Sequence, residues 1–153
     1  MALLSPADQQ KLRELFADMD TSVRLVFFTQ TIGCETCAET RQILDELPAL
    51  SDRIAIEEVN LVLDQDTARR YGVERAPAIA IVSAVNGAGN GDLRDSRIRF
   101  LGAPSGYEFI SLVQAILLVG GRPSALTEEN RRRIAAAVTK DAPLVMQVFT
   151  TPT

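Results

Sequence analysis

Residues Val23 to Thr29 read Val-Arg-Leu-Val-Phe-Phe-Thr, and Ala78 to Val82 read Ala-Ile-Ala-Ile-Val; both are nearly continuous apolar runs of strand length. A strand with one wet face alternates polar and apolar side chains, so runs of this kind need a sheet covered on both faces. That restricts the chain to an α/β class, with the intervening segments supplying the covering helices.

Those segments carry helix signals. Ser5 and Pro6 with Asp8 give an N-cap, a proline at the first helical position and an acid in the first turn; Leu12, Leu15, Phe16 and Met19 then predict a helix to about Asp20. From Cys34 to about Leu50, Cys37, Leu44, Leu47 and Leu50 share one stripe, so the cysteine pair is expected to open a helix. Arg53 to Asn60 reads as a strand, and Asp64 to Tyr71 as a short helix closed by Gly72, giving a β-α-β-α-β order through Val82. Asn86 to Asp92 is a glycine-rich turn before a half-exposed strand, Arg97 to Leu101, and the two make a hairpin. Gly87, Gly89 and Gly91 lack the G-x-G-x-x-G spacing and are followed by a strand, so they read as a loop and not as a phosphate cradle. Ser105 with Glu108 is expected to form a capping box for a helix through Val119, stopped by Gly120 and Gly121. Thr127 with Glu128 and Glu129 begins a polar helix holding Arg131, Arg132 and Arg133, a solvated face in an acidic chain, and Leu144 to Thr150 is strand-like.

Composition narrows the chemistry. The 153 residues, 46% hydrophobic and 24% charged, suit one ordinary domain or two small units. Sixteen basic against twenty acidic residues leave a net charge of −4, which argues against a nucleic-acid partner. The sequence holds no histidine, so Ser-His and Cys-His nucleophile pairs and His-containing zinc sites are excluded. The residues after Met1 lack a basic start and apolar stretch, and the longest apolar stretch, Phe109 to Val119, is short of the roughly 20 residues that span a bilayer. A cytoplasmic protein without a membrane partner is expected.

The two cysteines, Cys34 and Cys37, lie between a buried strand and a helix, where a Cys-x-x-Cys pair reads as a redox pair. A thiolate attacks a partner disulfide, and a second thiol one turn away releases the mixed disulfide. Cys34, at the helix start, is placed for thiolate stabilisation, and Cys37, on the apolar stripe, should be less exposed. Half of a metal site completed across a dimer and a pair of inert core cysteines are the competing readings. Ala76-Pro77 precedes a buried strand, as either a plain strand start or a cis peptide.

The order of elements, with Cys-x-x-Cys after the first strand and Pro77 before the third, resembles a thioredoxin fold: a central mixed sheet with flanking helices. Leu25 to Thr29, Cys34 to Arg41, Tyr71 to Ile79 and Arg99 to Phe109 resemble the N-terminal unit of the glutaredoxin-like protein disulfide oxidoreductases. Those proteins carry two thioredoxin units and reduce or exchange protein disulfides in the cytosol. Phe100 to Pro123 is also similar to the thioredoxin-like N-terminus of the flavoprotein component of alkyl hydroperoxide reductase. The resemblance implies a protein-disulfide oxidoreductase with Cys34 as nucleophile, Cys37 as resolving thiol and a cis Pro77 facing the disulfide. Gly33, Glu35, Thr36, Arg75 and Ala76 would meet the substrate, Arg75 either pairing with a carboxylate or remaining solvated. Two departures stand out: Gly33 replaces the tryptophan of ordinary thioredoxins, and Phe28 takes the place of their buried carboxylate.

No cofactor or metal is called for beyond the dithiol; the expected partners are protein disulfides and an upstream reductase. The alternative is a weakly active docking or electron-relay domain of a larger redox protein. Leu144 to Phe149 repeats the character of the first strand, and both follow a helix of similar length, so 1–121 reads as a thioredoxin-like unit and 122–153 as linker, helix and strand beginning a second, missing one. The unpartnered strand is expected to form a homodimer through Leu144 to Phe149.

Overall fold

The computed structural model describes residues 3–84 and 92–150. Its backbone separates into two units, Met1–Arg122 and Pro123–Thr153. The first contains α1 (Pro6–Ala17), β1 (Ser22–Thr29), α2 (Cys37–Asp45), β2 (Ile54–Asn60), α3 (Gln65–Tyr71), β3 (Ala78–Ala84), β4 (Leu93–Leu101) and α4 (Tyr107–Val119); the second contains α5 (Glu128–Ala137). The glycines at 87, 89 and 91 lie outside the described residues.

The sheet order is β2-β1-β3-β4, with β1 parallel to β2 and antiparallel to β3, and β3 antiparallel to β4. The two apolar runs are its inner strands, β1 and β3, covered on both faces as read, and the mixed sheet is the one the thioredoxin resemblance implied. Alternate residues of β1 serve opposite faces. Val23, Leu25 and Phe27 join Phe16, Leu44, Leu47, Leu112 and Ile116 in one core, while Val26 and Phe28 join Val59, Ala68, Val73 and Ala80 in the other. Each fully buried Leu, Phe or Ile in these layers contributes about 1.5–3 kcal/mol relative to exposure.

Several boundaries differ from the sequence expectation, each for an identifiable reason. Ser5 caps α1 as expected, its Oγ accepting from the Asp8 amide at 3.2 Å, but α1 ends at Ala17 and not at Asp20. There Asp20 and Thr21 turn their amides to the Gly120 carbonyl, at 3.1 and 3.2 Å, while Met19 stays buried. A Cβ on Gly120 would lie 2.6 Å from Met19 Cε and 3.0 Å from the Ile116 carbonyl oxygen, so any larger residue there would have to displace the Met19 side chain. The helix expected over 34–50 spans only Cys37–Asp45, because Pro48 donates no amide hydrogen bond and disfavours helical geometry before it. Leu47 and Leu50 nevertheless remain buried on two single turns.

The capping box at Ser105 does not form. Gly106 is the N-cap of α4, without a side-chain cap, and Glu108 donates its amide to the Ser105 carbonyl at 3.2 Å. Strand β4 starts at Leu93, earlier than expected, and accommodates a register shift opposite Ala80 to Val82. In the second unit Thr127 caps α5 through the Asn130 amide, as read. The strand expected over Leu144 to Thr150 is absent. A strand exists only through a neighbour's backbone, and α5 is the sole regular element among the described residues of its unit.

Candidate active site

The strand register gathers the site at one end of the sheet. Phe28 pairs with Val59 and with Ala78, and Ala78 pairs with Leu101. The loop after β1, carrying the cysteines, therefore leaves from the same end as residues 75–77, which enter β3. Sequence separation of some forty residues between Cys34 and Pro77 is thus cancelled by one antiparallel pairing.

Cys34 and Cys37 form a disulfide with a Cα–Cα distance of 5.5 Å. Cys37 is the first residue of α2 and 6% exposed, whereas Cys34 precedes the helix and is half-buried. Cys34 itself is therefore not in α2, a correction to the expected helix start, but its sulfur is bonded to the residue that opens it. The first-turn amides and the positive end of the helix dipole lie at that junction. Gly33 has φ +75, a conformation that favours glycine, and Gln30 Nε2 donates to the Ile32 carbonyl at 2.9 Å, bracing the turn before Cys34. Glu35, Thr36 and Ile32 are exposed on this turn.

Ala76-Pro77 is a cis peptide. Pro77 is buried, Ala76 half-buried and Arg75 exposed; the Pro77 carbonyl accepts from the Gly102 amide at 2.9 Å. Phe28 is wholly buried and packs edge to face on Tyr71, with ring centroids 5.9 Å apart. Arg99 lies over the Tyr71 ring at 5.4 Å, donates to the Tyr71 carbonyl at 3.0 Å and makes two hydrogen bonds to Asp95, at 2.8 and 2.7 Å. Burial, the largest cause, raises the Tyr71 phenol above its ordinary value.

The Arg99 hydrogen bond is the chief reason that the Asp95 carboxyl sits below the usual range. A depressed carboxyl stabilises the fold above its unfolded pKa and loses that contribution as pH falls through the folded value. Acid denaturation of the wild type should therefore be steeper than that of Asp95→Asn, and identical acid limbs in the two proteins would contradict the pairing.

Two contributors had no motif to announce them. Thr40 is fully buried in α2 and bonds back to Thr36, and Gln30 braces the loop before Gly33. The one available signal for Thr40 was its place three residues after Cys37 on the apolar stripe, an odd position for a hydroxyl. Among the described residues no three His, Cys, Asp or Glu side chains group to hold a metal ion, and no helix is long and apolar enough to cross a membrane.

No protein-family model matches the chain. It is 34% identical over 91 residues to an alkyl hydroperoxide reductase of Xanthomonas campestris pv. phaseoli, covering 60% of this chain but only 14% of that relative's length. The NTD N/C domain of alkylhydroperoxide reductase AhpF from Enterococcus faecalis superposes on 88% of the chain and 61% of its own, at a TM-score of 0.74 and 27% identity. A protein disulfide oxidoreductase from Aeropyrum pernix shares the fold, at a TM-score of 0.71 and 23% identity over 87% of this chain and 55% of that one. A probable thioredoxin of Methanothermobacter thermautotrophicus is 31% identical over 81 residues, which are 52% of this chain and 80% of the thioredoxin. With the mixed sheet, the disulfide at the start of α2 and this coverage of a whole relative, the chain belongs to the thioredoxin family.

Proposed function

We propose that this chain is a thiol-disulfide oxidoreductase that reduces or exchanges protein disulfides, of the glutaredoxin-like protein disulfide oxidoreductase kind, acting in the cytoplasm. The observation that carries this reading is the Cys34–Cys37 disulfide at the opening of α2 in a thioredoxin fold. Cys34, the more exposed sulfur, attacks the substrate disulfide as a thiolate, forming a mixed disulfide and expelling one substrate thiolate. Cys37 then attacks the Cys34 sulfur, re-forms the internal disulfide and releases the second substrate thiolate, so two electrons pass to the substrate. An upstream reductase restores the dithiol. Pro77, Ala76, Gly33, Glu35, Thr36 and Arg75 form the substrate-facing rim in this reading, supported by their convergence at one sheet end.

Insulin reduction by dithiothreitol tests the reading: the chain should accelerate turbidity, whereas a docking or electron-relay domain should not. That second reading is favoured by one fact, the 14% of the Xanthomonas reductase that the chain spans.

The poise should be reducing. Glu35 places a carboxylate beside Cys34, and the sequence has no histidine to oppose it. A nearby negative charge disfavours the thiolate, which makes the disulfide the more stable form. Glu35→His should shift the potential toward oxidising values in a glutathione titration; an unchanged or more negative potential would sink the argument.

A second copy of the chain is the partner proposed for Leu144 to Phe149. Leu144, Val145, Met146, Val148 and Phe149 are all exposed, and an apolar segment of strand character gains ladder hydrogen bonds by pairing. Sedimentation should show concentration-dependent dimers that Val145→Asp with Val148→Asp abolishes, and a monomer at all concentrations would dismiss the pairing.

A further inference from the structure

Among the described residues two polar side chains are buried, Ser22 and Thr40, and Thr40 has no exposed surface at all. Its hydroxyl donates to the Thr36 carbonyl at 2.8 Å, and its amide donates to the same oxygen at 2.9 Å. Back-bonding of this kind inside a helix is common and by itself slightly unfavourable. Here, however, the acceptor belongs to the peptide joining Thr36 to Cys37, within the redox turn. In a trans peptide the carbonyl and the N–H point opposite ways. A Thr36 carbonyl held along α2 therefore aims the Cys37 N–H back out of the helix, toward its N-terminal end. Thr36, the N-cap residue, makes no side-chain cap, so no capping oxygen from it competes for the first-turn amides.

We propose that Thr40 is a positioning residue: its buried hydroxyl holds the Thr36–Cys37 peptide so that the first-turn N–H groups of α2 face the Cys34 sulfur, and this sets the stability of the Cys34 thiolate. The inference rests on the exchange reaction proposed above. When glutathione disulfide oxidises the dithiol, the Cys34–Cys37 bond forms, the glutathione disulfide bond breaks, and two glutathione thiols leave with two electrons and two protons. A better stabilised thiolate favours the dithiol side of that equilibrium. Removing the hydroxyl loosens the peptide while leaving the Thr36 carbonyl its bond from the Thr40 amide.

The test compares wild type, Thr40→Val and Thr40→Ser in a glutathione redox buffer, together with the pH dependence of Cys34 alkylation by iodoacetamide in the reduced proteins. Thr40→Val should raise the equilibrium constant for oxidation by about three- to tenfold, as expected when one charge-assisted hydrogen bond is weakened but not lost. Its alkylation midpoint should move to higher pH, and Thr40→Ser should behave as wild type. If Thr40→Val lowers the melting temperature of both redox forms and moves neither the equilibrium nor the midpoint, Thr40 is merely structural and the proposal is wrong. Thr40→Ala carries the same comparison should the valine variant not fold. A wild type that fails to exchange with glutathione or any protein disulfide would count against the oxidoreductase reading instead, and the alkylation midpoint would still decide the role of Thr40.

Discussion

Cys34→Ser is expected to abolish insulin reduction, a loss on the order of a thousandfold or more, because the thiolate is the attacking group and no second nucleophile stands in for it. Cys37→Ser should differ in kind. Its Cys34 can still attack, so a mixed disulfide with substrate or glutathione should accumulate, visible by mass spectrometry and reversed by dithiothreitol. The structural basis is the contrast between a half-buried Cys34 ahead of α2 and a Cys37 that is 6% exposed within it. Attack by an outside disulfide needs an approach in line with a sulfur, which the buried residue denies. Faster iodoacetamide labelling of Cys37 than of Cys34 in the reduced wild type would reverse the two roles.

Phe28→Asp should be the most damaging single change to stability among those considered. Phe28 has no exposed surface and packs among Val26, Val59, Ala68, Ala78 and Tyr71, an apolar layer without a charged partner. Truncating a buried phenylalanine costs about 3–5 kcal/mol from lost transfer and the residual cavity. An unpaired carboxylate there adds several kcal/mol more, or else takes up a proton. Burial would raise the carboxyl above its unfolded value, so the stability associated with its protonated form is fully present below the unfolded pKa and is lost as pH rises through the folded one. The deficit relative to wild type should therefore be smaller near pH 4 than near pH 8, around the unfolded carboxyl value and well above it. Phe28→Asn, with no charge to gain, should show a deficit that does not change between those conditions. Equal denaturation midpoints for Phe28→Asp and wild type at neutral pH would mean that the site is wetter than its packing implies.

Much of the molecule was readable from neighbouring residues alone. Ser5 with Pro6 and Asp8 started α1, Asp64 and Gly72 bounded α3, and Thr127 started α5, since caps and left-handed closures are made within a few residues. The apolar runs at 23–29 and 78–82 announced doubly covered strands because side-chain alternation is set by the backbone itself. The cysteine pair was equally plain, both sulfurs lying within reach of each other across two residues.

Other features depended on distant partners. The register of Phe28 against Ala78 brought residues 75–77 to the end of the sheet that bears the cysteines, and no local signal encodes which residues meet across strands. The residues of Ala76-Pro77 by themselves left its isomer open, since the two forms differ by only about 0.5–1 kcal/mol in an unfolded chain; the resemblance implied cis, and the peptide is cis. Ser105 and Glu108 spelled a capping box, but α4 begins at Tyr107 with Gly106 as its N-cap and no side-chain cap. Leu144 to Thr150 has the composition of a strand and yet forms none, because composition supplies only the side chains of a strand while its hydrogen bonds must come from another segment. Thr40 shows the same division within one residue: the sequence places a hydroxyl on an apolar stripe, and only the packed core removes it from water and makes the Thr36 carbonyl its partner.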